Sequence, residues 1–146
     1  MTDIDLEWAP IKPIDKTPQM VAAIREALSQ TVILRAADVQ AIAAWNGKAL
    51  DLQNLRQCNE ILAVRYQQRW GYPAFQFIPG SAQVREPIRR LLASVGPSDG
   101  VDHWIIVSWL VFPHEHFNHQ RTMYLLDSDF EEILRSMRIS FGLDDF

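Results

Sequence analysis

Apolar residues recur at helical spacing in several stretches of this chain, each bounded by a start or a stop signal. Thr17-Pro18 is an N-cap and first-position pair, and Met20, Val21, Ile24 and Leu28 then share one face, which predicts an amphipathic helix over 18–29. Val39, Ile42 and Ala43 give a helix over 36–45 a narrow face of small residues, and Asn46-Gly47 ends it. Asp51 is placed to cap a third helix running to about Cys58, with Leu52 and Leu55 inward. Pro87 opens a helix carrying Ile88, Leu91, Leu92 and Val95, stopped by Gly96-Pro97 and the turn Ser98-Asp99-Gly100. Asp102 caps 103–110, which is apolar nearly all round and should be the most buried helix. Ser128-Asp129-Phe130-Glu131 has the form of a capping box before the stripe Phe130, Ile133, Leu134, Met137 and Phe141, and Gly142 ends that helix.

Between these helices the period changes to two. Residues 61–78 alternate through Ile61 and Ala63, break at Gln67-Gln68-Arg69, and resume as an aromatic run from Trp70 to Phe77, which predicts a β-hairpin. Pro73 lacks an N–H, so the second strand should be an edge or end there. Thr31-Val32-Ile33-Leu34 reads as a short β-prone link, and 1–16, with Pro10 and Pro13, as an extended arm anchored by Trp8. Two short helices followed by a hairpin form the pattern of a winged helix-turn-helix. Its second helix would expose Gln53, Asn54, Arg56 and Gln57, the amide and guanidinium types that pair with base edges. Lys48, Arg65 and Arg69 would reach phosphates, so this set is the candidate DNA-binding surface. A solvated polar face is the plain alternative. Phe75 and Phe77 would form the joint between the two halves.

Charge sharpens this division. Residues 47–97 carry an excess of cations, whereas 98–146 hold Arg121, Arg135 and Arg138 against nine acids. A basic middle suits phosphates and an acidic end suits a basic partner. No apolar run approaches the roughly 20 residues that span a bilayer. The acidic start MTDIDLEWAP is unlike a signal peptide, and the single cysteine, Cys58, excludes an internal disulfide, so the cytoplasm is the expected compartment. Cys58 reads as a small buried hydrophobe. His114, His116 and His119 invite a metal reading, but Asn118 stands where an H-E-x-x-H helix needs its second histidine, so the stretch reads as a solvated linker without metal. No nucleophile has recognisable surroundings, and neither enzymatic activity nor a cofactor is expected.

The run Ile61-Leu62-Ala63-Val64-Arg65, followed by Tyr72-Pro73-Ala74-Phe75-Gln76-Phe77, resembles the centre of bacterial antitoxins of the Xre–MbcA–ParS type. Trp104, Trp109-Leu110, Pro113, Phe117 and Leu125-Leu126-Asp127 are similar to that family's toxin-binding domain, and the two blocks cover roughly 31–140. The loop after Pro113 lacks the family's glycine and proline, which marks a diverged member. The resemblance implies a mainly α protein with a small β-hairpin, a helix-turn-helix-like part packed on a helical toxin-binding part. It divides the chain into an arm and amphipathic helix (1–30), a helix-turn-helix-like part with a hairpin wing (31–78) and a partner-binding part (79–146). It further implies a non-enzymatic antitoxin-like regulator that forms a homodimer or larger homo-oligomer. Such a regulator neutralises a RES-type toxin and binds operator DNA for autoregulation. NAD would be the toxin's substrate, not this chain's cofactor. Phe117, Arg121, Asp144, Asp145 and Phe146 are the expected partner-binding residues. The alternative is an interaction or structural module that oligomerises and has lost DNA binding.

Overall fold

The computed structural model describes residues 18–66, 68–95 and 101–144. The arm with Trp8 and Thr17, the turn 96–100, and Asp145 and Phe146 lie outside the described residues. The molecule is mainly helical with a small antiparallel sheet. Its elements are α1 (Pro18–Gln30), β1 (Ile33–Arg35), α2 (Ala36–Trp45), α3 (Leu52–Gln57), β2 (Val64–Tyr66), β3 (Arg69–Pro73), α4 (Glu86–Ser94), α5 (His103–Val111), β4 (Pro113–His114), β5 (Gln120–Arg121) and α6 (Phe130–Ser140).

The predicted helices form where their periodicity places them. Asp51 accepts from the Asn54 amide at the start of α3, and Asp102 from the Trp104 amide at the start of α5. α5 buries Trp104, Ile106, Val107, Leu110 and Val111, with α1 packed along it. One apolar cluster runs from Val39 and Ala43 of α2, through Leu52, Ile61, Leu62 and Tyr72, to Ile88 and Leu92 of α4 and Ile133 and Met137 of α6.

Several local expectations are corrected. The hairpin is the core of a three-stranded sheet ordered β1-β3-β2, because the β-prone link at 33–35 pairs with 71–73. β3 is therefore central, and Pro73 is accommodated because the strand ends there and the next amide, Ala74 N–H, donates to Val32 O. Beyond Pro73 the chain turns through a 3-10 segment, Ala74–Gln76, rather than continuing to Phe77 as a strand. Residues 61–64 do not alternate, since Ile61, Leu62, Ala63 and Val64 are all buried. Gly47 alone is left-handed at the end of α2, while the Asn46 amide donates to Ile42 O. The capping box at Ser128 does not form: Asp129 is the N-cap, and the Ser128 hydroxyl donates to Leu125 O. The histidine stretch is no linker but a β4–β5 hairpin, with Asn118 and His119 in the left-handed region. No helix among the described residues is long and apolar enough to cross a membrane.

Candidate functional site

The stretch between α2 and α3 is fastened by a side chain that imitates a strand. Gln40 Nε2 donates to Leu50 O (2.6 Å), and Leu50 N–H donates to Gln40 Oε1 (3.1 Å). This holds residues 46–51 as a link longer than the three- or four-residue turn of a DNA-binding helix pair. α3 is only six residues long, about 9 Å of helix. Leu52 is buried and Leu55 half-buried, which leaves Gln53 and Gln57, one turn apart, exposed together. Asn54 is also exposed, with its Oδ1 facing Cys58 Sγ at 3.7 Å. Cys58 is itself exposed, contrary to its expected burial, because it lies past the last turn of α3. Lys48 and Arg69 are exposed.

Arg56 and Arg65 behave differently. In the β2–β3 register Arg65 stands opposite Trp70, so both side chains leave the same face of the sheet, together with Tyr72 two residues on. Arg56, arriving from α3, lies over the Trp70 ring with its guanidinium carbon 4.7 Å from the centroid, and Arg65 lies at 5.2 Å. Arg56 donates to the buried Tyr72 hydroxyl (2.6 Å) and Arg65 to Gln68 O (3.0 Å) in the hairpin turn. Burial raises the Tyr72 phenol, and the adjacent Arg56 opposes that shift. Gln68 adopts a left-handed conformation, φ 63°, which sets up this contact.

Arg56, Arg65 and Trp70 line a cleft of about 300 Å³. Its lining also includes Ala63, Val95 and Val101, together with Asp102 and His103 from the start of α5. The Ala63 amide donates to His103 Nδ1 (3.1 Å), so Nε2 carries the proton and donates to Asn59 Oδ1 (2.8 Å). Asn59, left-handed at φ 54°, passes the chain on through Nδ2 to Leu92 O and Val95 O. Burial lowers His103 to about 4, so at neutral pH it is an uncharged strut with both ring nitrogens hydrogen-bonded. Burial raises Asp102, against the Trp104 amide that its carboxylate accepts.

The expected partner-binding residues are mostly occupied within the fold. Phe117 is buried, edge-on to Trp109 and His116. Arg121 donates to Glu26 of α1 (2.7 Å) and to Val111 O, tying α1 to the end of α5. Asp144 pairs with Arg138 (2.8 Å), which draws its carboxyl below the usual range. The three histidines do not converge: His114 Nε2 meets Trp109 O, and His116 Nε2 meets Glu132. Among the described residues, no group of three or more His, Cys, Asp or Glu is gathered to hold a metal ion. Trp70, Asn59 and His103 were not singled out by sequence. Asp102-His103 signalled only a helix start, and nothing local indicates that the imidazole crosses to Asn59 and Ala63. No protein-family model, curated protein or solved structure matches this chain.

Proposed function

We propose that this chain is a non-enzymatic, cytoplasmic regulator of the antitoxin kind, binding a partner toxin and, through α3 and the β2–β3 turn, operator DNA. A division of charge carries the DNA half. Every arginine from Arg85 onward has a carboxylate within 4.0 Å, whereas Lys48, Arg56, Arg65 and Arg69 have none among the described residues. Cations whose charge no carboxylate cancels can exchange counterions for phosphates, most freely at the exposed Lys48 and Arg69. The exposed Gln53 and Gln57 amides on one helical face supply the base-reading chemistry. The toxin half, with a RES-type partner and a homo-oligomeric state, rests on the resemblance in residues 61–77 and 104–127. His103, which would be the natural acid–base group of the cleft, is locked in structural hydrogen bonds, and that favours a non-enzymatic reading.

A second reading, an interaction module that has lost DNA binding, draws support from two observations. Arg56 and Arg65 are held over Trp70, and the Trp45 side chain at the end of α2 is 86% exposed. A gel-shift titration of the full chain against its own upstream DNA over a range of salt separates the two. Retardation that weakens with salt and disappears in Arg65→Ala/Arg69→Ala is the expected result. No retardation by folded protein at low salt overturns the DNA half and leaves the second reading.

A further inference from the structure

Among the described residues Arg25, Arg35, Lys48 and Arg69 also lack a carboxylate partner, but they are exposed and water solvates them cheaply. Arg56 and Arg65 are half-buried, and each has one guanidinium hydrogen bond, to a hydroxyl and to a carbonyl. The Arg65 Nε is closed to solvent and has no acceptor among the described residues. Withdrawing a cation from water without a counter-charge is costly, and stacking on Trp70 offsets only part of that cost. Both guanidiniums line the same cleft, so it presents two under-compensated positive charges beside an indole. The same cleft is also lined by the apolar residues Ala63, Val95 and Val101.

We infer that this cleft binds a small monocarboxylate with an apolar body, its carboxylate on Arg56 and Arg65 and its hydrocarbon against Ala63, Val95 and Val101. Planar guanidiniums match a carboxylate through paired N–H donors, and the cleft's size lies at the lower end of small-molecule sites. Asp102 decides between anions. Asp102 also lines the cleft, so its carboxylate repels any bound anion and repels a phosphate dianion more strongly than a monocarboxylate. His103, neutral and occupied at both nitrogens, adds no charge. The inference shares Arg56 and Arg65 with the proposed DNA surface but requires only the cleft, and its test contains no DNA, so either reading can fail without the other.

The test is a titration of the full chain with benzoate, read by thermal unfolding and by ¹H–¹⁵N shifts of the Trp70 indole, with benzamide and inorganic phosphate as controls at matched ionic strength. Benzoate should give a saturable rise in melting temperature in the millimolar range and shift the Trp70 indole, and the two controls should do neither. Arg65→Gln should weaken benzoate about tenfold or more. Val101→Asp, which leaves both arginines in place, should weaken it similarly by charging the apolar wall. Equal responses to benzamide or phosphate overturn the assignment, as does absence of saturation. So does wild-type affinity in either folded variant.

Discussion

Gln76 is fully buried, and its side chain serves the backbone of another segment. Leu62 N–H donates to Gln76 Oε1 and Gln76 Nε2 donates to Leu62 O, both at 2.8 Å, so the amide completes a ladder where no strand is present. Gln40 does the same for Leu50 in a half-buried setting. Gln76→Ala leaves a buried donor and a buried acceptor unmatched, and should cost about 2–5 kcal/mol in urea unfolding. Gln40→Ala should cost less, because water reaches Leu50; equal losses would show that burial is not what makes the first clamp valuable. His103 gives a pH prediction of definite sign. Its ordinary value is 6.5 and burial holds it at about 4, so between these values the unfolded chain binds the extra proton. The stability gained by keeping the ring neutral is complete above pH 6.5 and is lost as pH falls toward 4, about 3 kcal/mol in all. Asp102, shifted upward, works in the opposite sense over the acidic range. The difference between wild type and His103→Gln isolates the imidazole: the variant should lose the part of the pH dependence between 6.5 and 4, and unchanged curves would refute the assignment.

The three-stranded sheet depends on one residue without a side chain. Gly71 in β3 faces Ile33 of β1 and Val64 of β2, and a Cβ added there would overlap Ile33 Cγ2, which its β-branched side chain cannot readily withdraw. Gly71→Ala should destabilise by about 1–3 kcal/mol, and Ile33→Ala in the same chain should return part of that loss. Additive losses, measured as a double-mutant cycle, would show that the two side chains do not meet. This strand also marks the boundary of what sequence conveys. The bounds of α2, the Asp51 and Asp102 caps, and the turns at Gly47 and Gly142 depend on neighbours within about four residues, and they were legible. The pairing of 33–35 with 71–73 joins segments far apart in sequence, and a three-residue strand carries too little alternation to announce it. The Arg65–Trp70 pairing was hidden for a related reason: it follows from the register that the turn at Gln68 imposes. Ser128 misled because its hydroxyl, a good N-cap acceptor in isolation, is taken up donating to Leu125 O one turn back.

At the scale of the molecule, the charges sort by whether the fold itself has used them. Arg90 of α4 lies on Glu131 (2.9 Å) and over the Phe130 ring, and Arg135 lies on Glu132 (3.3 Å), so the α4–α6 side carries cations whose fields are cancelled at short range. Lys48 and Arg69 have no such neighbour among the described residues. If this division underlies DNA binding, it must appear in the salt dependence rather than in affinity alone, because only a cation that displaces a condensed counterion contributes to the slope of log K against log salt. Each such contact is worth about 0.9 of slope, so Lys48→Gln/Arg69→Gln should lower it by about 2. Arg90→Gln/Arg135→Gln removes the same formal charge and should leave the slope nearly unchanged, since neither guanidinium is available to a phosphate without first breaking its carboxylate pair. Measured on the full chain with one DNA duplex, equal changes in the two double variants would mean that overall charge, not the unpaired cations, attracts DNA. The proposed division of labour between the two sides of the molecule would then fail.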